Sequence, residues 1–333
     1  MATTTTTVRN SSSPDVTSST GASRPRRVLV SLVALLGLAT LLYPTAARWL
    51  TDRQHATTLS SYADEVARLP TTAQRQILDR AHEYNDALPS GPLQVGALPG
   101  DRTTGDAGPR PARYLEQLTV PGSDVMATVS VPSIGVTVPV RHGVDEHALA
   151  NGVGHLPGSS LPVGGNGTHS VLTGHSGLVG STMFDRLDDV KPGDVIEIVV
   201  LDTTLRYEVD QLRTVTPDDT SSLRLESDKD LLTLVTCTPI GVNSHRLLVT
   251  AHRVAGPLDA RDPDPHGEPT QPGFPWWAVA LAGGFAVVAL AAAPGGQSRP
   301  RHGKRPRTRE RVVSPRRART DRRAREGRAS PGS

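Results

Sequence analysis

The chain contains a single cysteine, Cys237, among 333 residues that also include 11 histidines. A lone thiol cannot close an intramolecular disulfide, so it serves either as a small buried apolar group or as a reactive one. With an ordinary pKa near 8.5 it is only about 3% thiolate at pH 7, and a nucleophilic cysteine therefore needs a base or a cation beside it. Cys237 ends the run LLTLVTC and is followed by TPIGVN, where Pro239 lacks the amide donor a central strand requires. The thiol belongs at a strand end. Five histidines could partner it: His142, His155, His169, His175 and His245. His175 closes the run HSVLTGH just before a Gly-containing turn and has the most exposed setting by context. His169 begins that run, His155 lies in a Gly-rich loop, and His142 and His245 sit beside Gly and Arg. By position alone any of these is a surface or core histidine. Arg246 follows nine residues after Cys237, on the next apolar run, HRLLVTA. The short link TPIGVNS makes those two runs neighbours, and a guanidinium there could hold a substrate carbonyl and the oxyanion formed from it.

Nothing spaces Cys and His as a zinc site requires, and Asp218, Asp219, Glu226 and Asp228 do not form a calcium loop. We read them as a solvated loop and expect neither metal nor cofactor.

The elements that must hold these residues are short β-branched runs beyond Tyr114: VMATVSV, IGVTVPV, HSVLTGH, DVIEIVV, TLRYEVDQL, LLTLVTC and HRLLVTAHRV. So many strands in so short a span predict a closed barrel or sandwich. Between them, DEHALANGVGH and STMFDRLDDV read as short helices, and Asn166-Gly167 and Pro192-Gly193-Asp194 supply turns. Upstream, residues at helical spacing (Leu59, Tyr62, Val66, Leu69, Ile77, Leu78, His82), interrupted by Pro70, predict two amphipathic helices forming a stalk or an appendage on the barrel.

Outside this core lie two uncharged apolar segments, VLVSLVALLGLATLLYPTAA at 28–47 and WWAVALAGGFAVVALAAA at 276–293. The first spans roughly 30 Å as a helix, the thickness of a bilayer core. A cleaved signal peptide is the alternative for it, since Arg24, Arg26 and Arg27 precede the run. The second carries Trp276 and Trp277 at its start, which suits a membrane interface. Arg and Lys concentrate before the first segment and after the second, which places both termini in the cytoplasm and the middle of the chain outside. The excess positive charge thus describes a tail attracted to anionic lipid, with no nucleic-acid partner expected. The resulting map is a disordered N-terminus (1–27), a transmembrane helix (28–47), a helical stalk with a Gly/Pro-rich loop (51–118), a catalytic β-barrel (119–256), a linker (257–275), a transmembrane helix (276–293) and a basic cytoplasmic tail (294–333).

Taken together, TLVTC, a downstream arginine and an upstream TGH resemble the sortase signature over roughly Val125 to Val254. The stretches GVGHLPGSSLPVGGNGTHSVLTGHSGL and LLTLVTCTPIGVNSHRLLV, with the two apolar flanks, are most similar to the pilus-assembling class C members. The resemblance implies a mostly β fold, an eight-stranded sortase-type barrel with short helices, preceded by N-terminal helices and flanked by two transmembrane helices. It also implies roles. Cys237 would cleave a Leu-Pro-X-Thr-Gly sorting signal between Thr and Gly through a thioacyl intermediate, with His175 as acid and base and Arg246 stabilising charge. The partners implied are pilin or surface-protein substrates bearing that signal, and the acceptor is a pilin lysine or, alternatively, a cell-wall amine. Many class C relatives carry an Asp-Pro-aromatic lid before the barrel. Residues 85–118 hold no Asp-Pro, which predicts a more open cysteine. A papain-like peptidase would place its Cys before its His, the reverse of the order here. A non-enzymatic tethered binding domain would leave three ordered motifs to coincidence.

Overall fold

The computed structural model describes residues 24–89, 111–177, 180, 183–254 and 272–292. Residues 1–23 of the expected N-terminus, 257–271 of the linker, the basic tail and 90–110 of the lid segment fall outside these residues, while 24–27, expected as disordered, are helical.

Helix α1 runs over Arg24–Arg68 without interruption and α2 over Thr71–Asp86. The sequence predicted a break between the apolar segment and the first amphipathic helix, and none exists. Between Pro44, which lies inside α1, and Pro70 there is no Gly or Pro to end the helix, so it continues until Pro70 removes the next amide donor. Beyond the apolar segment one face of α1 becomes buried through Ala56, Leu59, Tyr62 and Val66, and α2 buries Gln74, Ile77, Ala81 and Asn85. Both sets recur at three- and four-residue intervals, as a helix lying on a core demands. These helices are packed against the barrel. Tyr62 Oη donates to Met126 O (3.3 Å) and accepts from Leu201 N (3.1 Å), and Asn85 exchanges hydrogen bonds with both backbone groups of Leu161.

After a short α3 (Pro111–Leu115) the chain forms β1 (Val125–Val131), β2 (Val136–His142), α4 (Glu146–Ala150), β3 (Val153–His155), β4 (Thr168–Thr173), β5 (Val195–Val200), β6 (Thr203–Val215), β7 (Asp230–Thr238) and β8 (His245–Arg253). The strands close into a barrel in the order β1-β2-β3-β4-β7-β8-β6-β5. The ladders β2–β3 and β4–β7 are parallel, and the rest are antiparallel. Two sequence expectations need correction. The segment DEHALANGVGH is helical only over Glu146–Ala150 and then supplies β3, whereas STMFDRLDDV yields only a 3-10 turn at Leu187–Asp189.

Alternation along the strands separates two apolar clusters. Leu172, Leu232, Leu234, Leu247, Val249 and Ala251 face the main core inside the barrel, together with Tyr62, Val66, Ile77 and Ala81 from the helices. The intervening residues Val171, Val235 and Leu248 face outward into a smaller cluster roofed by Leu156, Leu223 and Leu225. That second cluster is the floor under the site.

Helix α5 (Trp276–Ala292) is uncharged and lies along α1. Gly284 permits the approach, because a Cβ there would collide with Leu38 Cδ2. Among the described residues α1 is long and apolar enough to cross a membrane, while Trp276–Leu290 is a shorter apolar helix.

Candidate active site

Three neighbouring strands bring the chemistry-bearing residues together. In the antiparallel β7–β8 ladder Cys237 pairs directly with Arg246, and directly opposed residues project from the same face of a sheet. In the parallel β4–β7 ladder Thr173 pairs with Val235. Two residues farther along each strand, the register sets His175 beside Cys237. Since Val235 and Leu248 face the outer cluster, the two-residue period puts Cys237 and Arg246 on that same outer face, and His175 follows just beyond the end of β4.

Strand β4 ends at Thr173, yet the TGH tail stays attached to β7 beyond it. Gly174 N donates to Val235 O (3.0 Å), Thr236 Oγ1 donates to Gly174 O (2.9 Å), and Ser176 Oγ donates to Cys237 O (2.6 Å). His175 O accepts from Phe184 N (3.2 Å), and Asp185 Oδ1 accepts from Gly177 N (2.6 Å). Glycine is required at 174 by a close approach: a Cβ there would lie 2.6 Å from Phe184 Cδ2. The histidine loop is therefore pinned on both sides.

Cys237 is partly exposed and carries a free thiol. Partial burial lowers the pKa of His175, so its imidazole is neutral at pH 7 and can accept a proton. Arg246 is buried at 6% exposure, and its Nη1 donates to Asn243 O and His245 O, both at 3.1 Å. These bonds fold the β7–β8 turn around the guanidinium. A buried guanidinium beside a thiol is placed to stabilise negative charge developing on a carbonyl attacked at Cys237.

The other candidate histidines are not at this end of β7 on the Cys237 face. His155 is fully buried, with Nδ1 3.0 Å from Tyr114 Oη and Nε2 2.9 Å from Ser160 O, and burial pushes its pKa down to about 4. His142 Nε2 meets Gln117 O at 2.8 Å, and its pKa is lowered by burial. His169 shares the outer face but lies six residues back along β4, where it bridges Arg224 O (2.9 Å) and Thr233 Oγ1 (2.7 Å). It thereby ties the β6–β7 loop to the barrel. His245 is exposed and pairs with Thr238, one residue past the thiol and on the opposite face. The acidic residues of the β6–β7 loop make local contacts: Asp219 accepts from Ser221, and Glu226 pairs with Lys229 at 2.7 Å.

Ser176, Phe184 and Asp185 were not anticipated from sequence. Their types are common on any surface, and only the fold brings them against the strand end.

The sortase domain model matches residues 129–254, which spans this barrel from β1 to the end of β8. Sortase C-1 from Actinomyces oris is 47% identical, with a TM-score of 0.50 over 55% of this chain and 99% of its own. The chain belongs to the sortase family. A second structure, the "Pilus-related Sortase C of Group B Streptococcus", is 36% identical over 58% of this chain and 95% of its own, with a TM-score of 0.53. Sortase D of Bacillus subtilis (strain 168) is 32% identical over 129 residues, covering 38% of this chain and 62% of that protein. This sortase thus shares the barrel with its curated relative over less than two thirds of the relative's length.

Proposed function

We propose that this sortase is a membrane-anchored cysteine transpeptidase acting on a Leu-Pro-X-Thr-Gly-type sorting signal. The observation that supports the reading is the direct pairing of Cys237 with Arg246 across the β7–β8 ladder, with the segment carrying His175 tied to β7 through Gly174 N and Ser176 Oγ. Cys237 Sγ attacks the threonine carbonyl, and the oxyanion that forms lies against the Arg246 guanidinium. His175 takes the Cys237 thiol proton as Sγ attacks and passes it to the departing glycine amine as the Thr–Gly bond breaks, which leaves a thioester on Cys237. An incoming amine then attacks the thioester, His175 takes its proton, the new amide forms and the thiolate is released. In the absence of an amine, water takes its place and the product is a carboxylate.

The acceptor in our reading is a pilin lysine, so that repeated turnover builds an isopeptide-linked polymer. Support comes from the likeness to sortase C structures, one of them described as pilus-related. For the anchors, α1 supplies the first span. The second is α5, supported by its uncharged sequence and its packing on α1. The barrel then lies outside the cell, with both termini in the cytoplasm. The absence of Asp-Pro from 85–118 leads us to propose a cysteine without the usual aromatic lid. Rapid thiol labelling of the native chain, unchanged when that segment is deleted, is the expected result.

The test of the reaction uses the full chain in detergent with a sorting-signal peptide and separate amine acceptors. Cleavage between Thr and Gly, abolished in Cys237→Ala, is expected, as is mass-spectrometric recovery of the acyl group on the lysine of a pilin. Normal turnover by Cys237→Ala would refute the reaction. Transfer to a cell-wall amine in preference to the pilin lysine would replace pilus assembly with surface-protein attachment.

A further inference from the structure

We propose that the active-site end of the barrel rests on the extracytoplasmic face of the bilayer, with the β7–β8 turn inserting Ile240 and Val242 into the lipid interface. This rests on the reading of α1 as a membrane span.

Helix α1 acts as a ruler for the barrel's orientation. At Ala47, the last residue of the apolar segment, α1 touches the loop that follows His175: a Cβ on Gly180 would lie 2.8 Å from Ala47 Cβ. Farther along the helix, Tyr62 is hydrogen bonded to Leu201, in the β5–β6 turn. The helix rises about 1.5 Å per residue, so these two contacts are about 22 Å apart along its axis. Gly180 is therefore level with the membrane boundary, and the β5–β6 turn stands well away from it.

The β7–β8 turn shares the membrane-proximal level. A Cβ on Gly177 would lie 2.5 Å from Ile240 Cγ2, and the three residues from Gly177 to Gly180 reach at most about 11 Å. Ile240 is 53% and Val242 68% exposed. Among the described residues between Val125 and Arg253 the other exposed large hydrophobic residue is Val195, at 37%. The connecting sequence Thr238–Ser244 carries no charge. Apolar side chains exposed on an uncharged turn are costly in water and favourable at a lipid interface.

An aromatic belt marks that interface independently. Trp49 Nε1 donates to Gly273 O (2.6 Å), and the Trp49 and Trp277 rings meet edge to face at 6.0 Å. Phe274 and Trp276 are 63% and 73% exposed. Trp49 is two residues past Ala47, about 3 Å along the axis, so the belt is level with Gly180, and Gly177, which meets Ile240 of the β7–β8 turn, is within about 11 Å of that level. Continuity with this belt favours lipid as the occupant of the turn over a protein partner. It also means that Cys237, at the base of the turn, works at the bilayer surface.

The experiment places an environment-sensitive fluorophore on single cysteines of the full chain in a Cys237→Ala background. The variants are Val242→Cys, Asp202→Cys and Leu36→Cys, reconstituted in phosphatidylcholine/phosphatidylglycerol vesicles containing lipids with a quencher near the headgroup or deep in the acyl chain. We expect at least about twofold shallow quenching at position 242, little at 202, and deep quenching at 36. Quenching at 36 without quenching at 242 overturns this proposal and leaves the anchor intact. Equal quenching at 242 and 202 overturns the orientation. Loss of quenching at 36 removes the anchor and this proposal with it. The readout needs no turnover, so failure of the proposed reaction is scored separately.

Discussion

Replacing His155 by glutamine should remove a large part of the protein's acid sensitivity. His155 is fully buried between β3, α3 and the turn at Ser159–Ser160. Its neutral form fits there: Nε2–H donates to Ser160 O, while Nδ1 faces Tyr114 Oη, whose hydroxyl also donates to His155 O. Burial lowers its pKa from 6.5 to about 4. With the folded pKa below the unfolded one, the unfolded chain binds the extra proton first. Stability is therefore intact above about pH 6.5 and falls as the pH drops from there toward about 4. At about 1.4 kcal/mol per pH unit of differential protonation, the loss between pH 7 and pH 5 from this one residue is about 2 kcal/mol, or roughly thirtyfold in the folding equilibrium. Glutamine keeps a donor and an acceptor but does not titrate. His155→Gln should be less stable than the parent at pH 7 and yet lose about 2 kcal/mol less on going to pH 5. Urea unfolding of the full chain in detergent, followed by far-ultraviolet circular dichroism at both pH values, measures this directly. His169 and His175 also have lowered pKa values, but they are common to both proteins and cancel in the comparison, whereas His142 repels a charged His155 and adds to the effect of the replacement. Equal losses in parent and variant would show that His155 titrates normally and that its site is wet.

Three further outcomes follow from the geometry. Gly174→Ala drives a methyl group toward Phe184, displaces the loop carrying His175, and should cut peptide turnover at least about tenfold while the circular dichroism spectrum is unchanged. Arg246→Lys keeps the charge but loses the planar fork, and we expect a fall of about 10²-fold in kcat with a smaller change in KM, measured by steady-state peptide cleavage. Tyr62→Phe strands Leu201 N and Met126 O in the interior and should cost about 1–3 kcal/mol in urea unfolding at pH 7.

The long strands were legible in the sequence because their β-branched alternation reports one buried face and its opposite directly. Strand β3 was not. It has three residues, two glycines border or occupy it, and Gly154 is there because a Cβ would strike Gly143 O. Such a strand is defined by its neighbours and has no pattern of its own. The helical boundary after the apolar segment was likewise misplaced, since a change of solvent from lipid to water alters which residues are favourable without altering the helix.

At the site, Cys237 and Arg246 could be related from sequence because a seven-residue connection fixes two strands as antiparallel neighbours. His175 could be singled out only through family resemblance, as it comes from a parallel strand 62 residues away that nothing local ties to β7. The supports Ser176, Phe184 and Asp185, and the link from His169 to the β6–β7 loop, depend on tertiary contacts between ordinary residue types.

The central claim is that Cys237 forms the covalent bond to substrate, with Arg246 holding the oxyanion and His175 moving the protons at the same scissile bond. Intact-protein mass spectrometry of the full chain in detergent, mixed with a sorting-signal peptide without an amine acceptor and quenched in acid, tests it most directly. The account predicts an adduct equal to the peptide truncated after threonine, mapped to Cys237, labile to hydroxylamine, and strongly reduced in His175→Ala and Arg246→Ala. Cleaved peptide with no adduct on Cys237, or an undiminished adduct in both variants, would contradict it.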